Sequence, residues 1–194
     1  MDDPGLSAPL ALALIAAAFW AGAIPFGVLI ARRRGVEIRE HGSGNIGATN
    51  VTRVLGARAG AIVLALDALK GALPTAVALA GGAAPWTTAL AGGAAILGHC
   101  FSPFLGGRGG KGVATAFGVF LVLAPAAGGL AVAVFVVVFR ATRVPALGSL
   151  AGALAISAVL LMRGAGPFAV LACATSALLF YTHRTNLAKL RRGR

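Results

Sequence analysis

The residues best suited to bind an anion form a glycine loop, residues 105–112, with the sequence Leu-Gly-Gly-Arg-Gly-Gly-Lys-Gly. Its glycines free the backbone to adopt positive φ and to approach a ligand closely, while Arg108 and Lys111 supply positive charge. The dinucleotide-binding and P-loop motifs do not fit, because the loop lacks a βαβ context and ends in Gly112 instead of Ser or Thr. The pattern indicates a phosphate-binding loop or, alternatively, a flexible connection whose basic residues face a membrane surface.

A second polar segment, residues 40–53, has the sequence Glu-His-Gly-Ser-Gly-Asn-Ile-Gly-Ala-Thr-Asn-Val-Thr-Arg. Ser43, Asn45 and Thr49 offer hydrogen-bond donors and acceptors. Arg53 can hold an oxyanion with two parallel hydrogen bonds. This density of polar groups indicates an anion-binding segment, and the alternative is a solvated loop with a helix N-cap at Thr49 or Asn50.

Near the C-terminus, His183 and Asn186 lie three residues apart and would share one face of a helix. These two residues are the candidates for chemistry in this part of the chain. The basic residues around them are interpreted as a surface anchor for anionic lipid headgroups. They are Arg184, Lys189, Arg191 and Arg192.

Asp67 and Lys70 are charged residues inside an apolar run, and they too lie three positions apart. Because charges within a membrane are costly unless paired, the spacing favours a structural ion pair, with support for a catalytic centre as the alternative. Cys100 and Cys173 are far apart in sequence and suggest neither a disulfide framework nor zinc ligands. We expect no metal site and no cofactor.

The composition is that of a membrane protein, since 58% of the 194 residues are hydrophobic and only 11% are charged. Apolar runs of about 20 residues recur along the sequence, which indicates an all-α integral membrane protein with one polytopic domain, residues 1–194. An excess of 17 Lys and Arg over five Asp and Glu could suggest a nucleic-acid partner. These cations lie in short loops between apolar runs, as topology signals do, so no nucleic acid is expected.

Five spans are predicted at residues 10–31, 59–80, 86–104, 145–162 and 167–181. The run 112–139 is long for one helix, and the Pro and Gly residues of 125–129 indicate a break. Asp2 and Asp3 before the first span, and three arginines after it, indicate an uncleaved span with its N-terminus outside. A break that creates two spans gives seven in total and places 15 of the 17 cations inside, as the positive-inside rule prefers. The fourth and fifth spans would then have only about 12–14 residues.

This topology puts both polar segments, the loop with Arg140 and Arg143, and the tail with His183 on the cytoplasmic face. The C-terminus is cytoplasmic as well. Four segments that are distant in sequence can therefore converge on one site.

The same segments carry a resemblance to a known family. They are residues 43–53, Gly-His-Cys-Phe at 98–101 followed by Gly-Gly-Lys-Gly-Val-Ala-Thr at 109–115, and His-Arg-Thr-Asn at 183–186. With Asp-Ala-Leu-Lys-Gly at 67–71 and Leu-Gly-Ser at 147–149, they resemble the motifs of the bacterial acyl-phosphate-dependent glycerol-3-phosphate acyltransferases, the PlsY family.

The resemblance implies a seven-helix enzyme that transfers a fatty acyl group from acyl phosphate to the 1-hydroxyl of glycerol 3-phosphate, giving lysophosphatidic acid, the first step of phospholipid synthesis. It also implies a multi-pass protein of the bacterial cytoplasmic (inner) membrane, among membrane lipids, with its active site at the cytoplasmic face. The enzyme that forms acyl phosphate is a candidate partner.

On this resemblance, positioning and electrostatic stabilisation carry most of the catalysis. The groups expected to bind the phosphate of glycerol 3-phosphate are Lys111, Arg108 and the N–H groups of Gly109 and Gly110. Those expected to hold acyl phosphate and its developing charge are Ser43, Asn45, Thr49 and Arg53. Those expected to orient the acceptor are His183, Asn186 and Ser149. Either His183 or an oxygen of the acyl phosphate acts as the base.

Two other classes of function remain as alternatives. A transporter of a phosphorylated anionic solute would also use cationic loops and broken helices, but its polar groups would cluster at the midplane instead of at one face. A non-catalytic scaffold or lipid-surface anchor would explain the basic tail but not the polar segment at residues 43–53.

Overall fold

The computed structural model describes residues 6–192, which form nine α-helices, two short 3₁₀ turns and, within that range, no strand. The helices are α1 (Ala8–Ala23), α2 (Phe26–Arg32), α3 (Ala48–Leu55), α4 (Ala57–Ala80), α5 (Pro85–Cys100), α6 (Val113–Leu123), α7 (Pro125–Thr142), α8 (Pro145–Met162) and α9 (Pro167–Arg191). The 3₁₀ turns are Ile38–Glu40 and Pro103–Leu105. The all-α prediction is confirmed. Asp2 and Asp3, which are predicted to lie on the external side of the membrane, are not among the described residues.

Within residues 6–192, five segments are long and apolar enough to cross a membrane. They are Ala8–Arg32, Ala57–Ala80, Pro85–Leu105, Pro125–Thr142 and Pro145–Met162. The chain is therefore a multi-pass helical membrane protein, as predicted. Three other helices are not among the five: α3 has 8 residues, α6 has 11, and α9 carries Lys189 and Arg191 in its last turn. The seven spans and the orientation of the termini stay predictions.

Proline residues define many of the helix boundaries. Pro85, Pro125, Pro145 and Pro167 each begin a helix, where the missing N–H removes no intrahelical hydrogen bond. Pro25 instead interrupts the first predicted span, because it has no N–H to donate and its ring clashes with the preceding turn. The span expected at residues 10–31 is therefore two helices, α1 and α2, with a break at positions 24 and 25.

The helix break predicted within residues 112–139 is confirmed, since α6 ends at Leu123 and α7 begins at Pro125. The expected lengths of about 12–14 residues are wrong for α7, which has 18 residues and continues through Arg140 to Thr142. Arg143 then ends α7 in a left-handed conformation with φ of 59°. The loop expected to carry both arginines is therefore little more than the end of this helix.

The chain divides into two compact units, the first ending at Val119 and the second beginning at Phe120. In the first unit, α1 packs against α4 and α5, and α3 packs against α4. A Cβ on Gly22 would overlap the carbonyl oxygen of Ala95, and one on Gly98 would overlap that of Phe19. Glycine at these two positions lets α1 and α5 come into close contact, which is how helices associate in lipid.

In the second unit, α7 packs against α8, and α8 packs against α9. Gly148 of α8 lies against Phe135 of α7, where a Cβ would come within 2.9 Å of the ring. The hydroxyls of Ser157 and Ser176 lie 2.9 Å apart and join α8 to α9 by a buried hydrogen bond. Interhelical hydrogen bonds of this kind add to van der Waals packing in a membrane. The single domain proposed for residues 1–194 stays a prediction.

Candidate active site

Asn50 organises the first polar segment with one buried side chain. Its Nδ2 donates to the carbonyl oxygens of His41 and Asn45 at 3.0 and 2.9 Å, and more weakly to that of Ile38 at 3.4 Å. Its Oδ1 accepts a hydrogen bond of 2.8 Å from the N–H of Ser43. One amide therefore fixes the backbone over residues 38–45, because each of these groups would otherwise need another partner.

The side chains predicted to bind acyl phosphate are differently exposed. Ser43, Thr49 and Arg53 are exposed, and Asn45 is half-buried. Thr49 and Arg53 lie four residues apart on α3 and so share one face of that helix. This face combines a hydroxyl with a guanidinium group, a combination that can donate several hydrogen bonds to one anion.

The N-cap of α3 is a different residue from the two that the sequence suggested. Gly47 is the N-cap of α3, so an N-cap at Thr49 or Asn50 is wrong. Asn45 supports the turn, because its Oδ1 accepts a hydrogen bond of 2.8 Å from the N–H of Gly47. The amide of Asn50 instead binds the backbone of the preceding loop.

The glycine loop is held against the C-terminal end of α5 by its own backbone. The N–H groups of Gly109 and Gly110 donate to the carbonyl oxygens of Cys100 and His99, each at 3.0 Å. These carbonyls belong to the last turn of α5, which has no intrahelical donors for them. Both N–H groups are therefore used within the protein, which argues against the prediction that they bind a substrate phosphate.

Glycine is required in this loop for two different reasons. Gly107 and Gly112 have φ of 76° and 88°, a region in which other residues are strained. Gly109 and Gly110 are not among the positive-φ glycines, but there is no space for a side chain at either position. A Cβ on Gly109 would overlap the carbonyl oxygen of His99, and one on Gly110 would overlap the His99 ring.

The loop carries two cations, an exposed Arg108 and a half-buried Lys111. Each sits next to a glycine whose backbone is tied to the end of α5. Positive charge on a backbone held in this way is suited to an anion such as a phosphate. Phosphate binding by the side chains of Arg108 and Lys111 does not depend on the N–H groups of the glycines, and it stays a prediction.

A buried ion pair and a buried hydroxyl support the break between α1 and α2. Lys70 Nζ lies 2.8 Å from Asp67 Oδ1, with both side chains only 3% exposed, and it also donates to the carbonyl oxygen of Ile24 at 2.8 Å. Ser102 Oγ donates to the carbonyl oxygen of Ala23 at 2.6 Å. The ion pair predicted from the spacing of Asp67 and Lys70 is confirmed. Its additional contact with the helix break was not foreseen from the sequence.

His99 is the residue of this region that the sequence reasoning missed. It is buried, and its Nδ1 lies 3.7 Å from Asp67 Oδ1, which is beyond hydrogen-bonding distance. Among the described residues, Nδ1 has no hydrogen-bond partner. His99 belongs to the Gly-His-Cys-Phe motif at 98–101, and nothing in that motif reveals its contacts with positions 67 and 110.

The second unit contains the remaining predicted site residues. Ser149 Oγ donates to the carbonyl oxygen of Pro145 within α8 at 2.9 Å. His183 is buried, and its Nδ1 lies 2.8 Å from the carbonyl oxygen of Leu179; since a carbonyl only accepts, Nδ1 must carry the proton. Asn186 is half-buried and lies three residues later on α9, so the predicted placement of the two residues on one helix is confirmed. The convergence of all four segments on one site stays a prediction.

These features can be compared with known proteins. A family model described as glycerol-3-phosphate acyltransferase matches residues 12–193. The chain belongs to the glycerol-3-phosphate acyltransferase family. The resemblance drawn from the sequence motifs is confirmed, and so is the prediction that the protein is an acyltransferase.

Relatives in the glycerol-3-phosphate acyltransferase family match this chain over nearly its whole length. The glycerol-3-phosphate acyltransferase of Myxococcus xanthus is 51% identical over 93% of this chain and 95% of that protein. That of Geobacter sulfurreducens is 45% identical over 94% of each chain. A solved structure of PlsY, an integral membrane glycerol 3-phosphate acyltransferase in its glycerol 3-phosphate form, is 38% identical and has a TM-score of 0.92 over 95% of this chain and 94% of that chain. The fold is therefore the PlsY fold.

Proposed function

We propose that this protein transfers a fatty acyl group from acyl phosphate to the 1-hydroxyl of glycerol 3-phosphate and releases lysophosphatidic acid. The observation that carries the proposal is the similarity to PlsY, for which solved structures exist in a glycerol 3-phosphate form and in a lysophosphatidic acid form, with TM-scores of 0.92 and 0.90. The acceptor and the product follow from those two forms. Acyl phosphate as donor follows from the sequence motifs.

In the first unit, Lys111 and Arg108 are proposed to bind the phosphate of glycerol 3-phosphate. Their attachment to a loop tied to α5 supports this role, because the charges are placed before the substrate arrives. The glycines at positions 109 and 110 contribute by close packing and not as donors to the substrate.

The first polar segment is proposed to hold acyl phosphate. Thr49 and Arg53 on the exposed face of α3 would bind its phosphate, while Ser43 and Asn45 would stabilise the charge that develops on the carbonyl oxygen. The support for this role is that Asn50 fixes the backbone at Ser43 and Asn45. A prearranged segment loses little freedom when a substrate binds.

In the second unit, His183, Asn186 and Ser149 are proposed to orient the acceptor. For His183 the support is its hydrogen bond to the carbonyl oxygen of Leu179, which fixes the orientation of the ring on α9. His183 could accept the proton of the acceptor hydroxyl or only hydrogen-bond to it. We favour the second role, with an oxygen of acyl phosphate taking the proton.

The protein is further proposed to lie in the bacterial cytoplasmic (inner) membrane, with seven spans, an external N-terminus and its active site at the cytoplasmic face. The distribution of cations between the apolar runs supports this orientation. The enzyme that forms acyl phosphate is proposed as a partner, because acyl phosphate is reactive and both proteins would handle it at the same membrane surface.

The activity can be tested with purified protein in detergent, radiolabelled glycerol 3-phosphate and acyl phosphate, without metal or coenzyme A. We expect labelled lysophosphatidic acid. Lys111→Ala should raise KM for glycerol 3-phosphate by about 10- to 150-fold, since a charge-assisted hydrogen bond contributes roughly 1.5–3 kcal/mol. Equal activity with acyl-CoA or acyl carrier protein as direct donor would refute the acyl-phosphate proposal. Uptake of a phosphorylated solute into proteoliposomes without any acylated product would favour a transporter.

The role of His183 can be tested by measuring kcat against pH in the wild type and in His183→Asn, with both substrates saturating. If His183 only orients the acceptor, the asparagine amide retains measurable activity and the wild-type pH dependence persists in the variant. If His183 is the general base, the rate falls by about 10²- to 10⁴-fold and the ionisation disappears. The second result would refute the substrate-assisted mechanism.

A further inference from the structure

His99 occupies the space that a side chain at position 110 would need. A Cβ on Gly110 would overlap Nε2 of the His99 ring and would lie 2.7 Å from Cε1 and 3.1 Å from Cδ2. Gly110 is not among the glycines with positive φ, so its backbone conformation would accept an alanine. Space alone therefore excludes a side chain at this position, and the ring of His99 defines that space.

The main chain of His99 binds the loop as well. Its carbonyl oxygen accepts the hydrogen bond from the N–H of Gly110, and the neighbouring carbonyl of Cys100 accepts the one from Gly109. The loop backbone therefore lies between a hydrogen bond to residue 99 and the ring of the same residue. Lys111 follows directly in the chain, so the position of its backbone depends on this contact.

Asp67 lies on the other side of the His99 ring. Asp67 Oδ1 is 3.7 Å from His99 Nδ1 and 2.8 Å from Lys70 Nζ, and all three side chains are buried. The ring thus lies between the buried ion pair of α4 and the backbone of the glycine loop. A side chain enclosed in this way has little rotational freedom.

We propose that His99 is a positioning residue, which sets the place of Lys111 through its contact with Gly110 and is itself held in place beside Asp67. This inference rests on the proposed binding of glycerol 3-phosphate by Lys111. It predicts that disturbing the contact between positions 99 and 110 weakens glycerol 3-phosphate binding more than it slows turnover, because the groups that react are not part of the contact.

The test is a double-mutant cycle made of the wild type, Gly110→Ala, His99→Ala and the double variant. For each protein, KM for glycerol 3-phosphate and kcat are measured with saturating acyl phosphate. Gly110→Ala should raise KM by about 10-fold or more, with kcat changed by less than about 3-fold. The double variant should have a lower KM than Gly110→Ala, because removing the ring makes room for the added methyl group.

A matched control is Gly109→Ala with and without His99→Ala. The Cβ at position 109 would overlap the carbonyl oxygen of residue 99, which every substitution retains, so trimming His99 should not rescue it. If His99→Ala lowers expression or thermal stability in detergent, the cycle is repeated with His99→Asn, which also removes Nε2 from the contact.

Three outcomes overturn the inference. Additive effects of the two substitutions on log KM, with no rescue in the double variant, would refute the positioning role while leaving the activity intact. Equal rescue of Gly109→Ala and Gly110→Ala would point to general loosening and refute it as well. A wild type that makes no lysophosphatidic acid from the two substrates would refute the proposed function and, with it, this role.

Discussion

Breaking the buried ion pair between Asp67 and Lys70 should destabilise the protein far more than breaking the exposed pair between Arg32 and Glu37. The two pairs have similar distances, 2.8 and 3.1 Å, and differ mainly in exposure. The side chains of the first are each 3% exposed, whereas those of the second are 66% and 35% exposed. The comparison therefore isolates the effect of burial on an ion pair within one chain.

The expected magnitudes follow from what each substitution leaves behind. Lys70→Met strands the carboxylate of Asp67 in the interior, which costs about 3–5 kcal/mol. Asp67→Asn should cost less, at the lower end of that range, because Lys70 keeps its hydrogen bond to Ile24 and lies 5.7 Å from the ring of Phe26. Arg32→Ala should cost at most about 1 kcal/mol, since water screens both charges.

The double variant Asp67→Asn with Lys70→Met shows whether the loss of stability in Lys70→Met comes from the unpaired carboxylate or from the change in side-chain volume. It removes both charges and leaves no stranded ion, so it should be more stable than Lys70→Met alone by about 2 kcal/mol or more. The carbonyl of Ile24 still accepts a hydrogen bond from the N–H of Phe26 at 3.1 Å, which limits the residual loss.

The assay is thermal unfolding in one detergent at one scan rate, followed by tryptophan fluorescence. For a chain of this size, 1 kcal/mol corresponds to roughly 2–4 °C, so Lys70→Met should lower Tm by roughly 6–20 °C and Arg32→Ala by less than about 4 °C. A Lys70→Met variant as stable as Arg32→Ala would refute the reasoning. So would a double variant whose loss equals the sum of the two single losses.

Three further predictions concern the packing and topology of the chain. Asn50→Ala should make residues 41–50 sensitive to protease and lower kcat/KM by about 10-fold or more, because several backbone groups lose one shared partner; a protease-resistant, fully active variant would contradict this. Gly98→Ala should destabilise by about 1–3 kcal/mol by overpacking α1 against α5, whereas Gly129→Ala, which has open space, should not, as thermal unfolding in detergent would show. Single cysteines at Ala57 and Arg192, in a background without native cysteines, should both react with an impermeant reagent only from the cytoplasmic side; labelling of position 192 from outside would mean that residues 112–139 cross the membrane once.

Short sequence patterns are enough to predict features that depend only on neighbouring residues. The ion pair of Asp67 and Lys70 follows from their spacing on one helix turn. The break before Pro125 follows from proline chemistry, and the distribution of cations independently required a break in the same run. Pro25 carries the same signal, but it lies within one continuous apolar run, so the sequence predicts a single span where the structure has α1 and α2.

The candidate site could be predicted only in part, because residue type does not reveal which groups the protein uses for itself. The N–H groups of Gly109 and Gly110 suggested an anion site, yet they satisfy the end of α5. Asn50 and His99 act through contacts with backbone and side chains that no spacing rule places beside them. Such contacts depend on how helices pack, and packing is not encoded in a short motif.

The break at Pro25 has a consequence for the order in which the chain assembles in the membrane. The side chains that donate to the carbonyls of Ala23 and Ile24 are those of Ser102 and Lys70, which lie 79 and 46 residues further along the chain. The carbonyl of Ile24 also accepts from the nearby N–H of Phe26, so the carbonyl of Ala23 is the one that relies on a distant residue. In lipid an unpaired carbonyl costs several kcal/mol, so the carbonyl of Ala23 needs another partner, such as water, until Ser102 has been synthesised. We therefore expect the break between α1 and α2 to stay near water until α5 and the turn after it have been synthesised. The first segment to be made is then fixed in place only after about half of the chain has been synthesised.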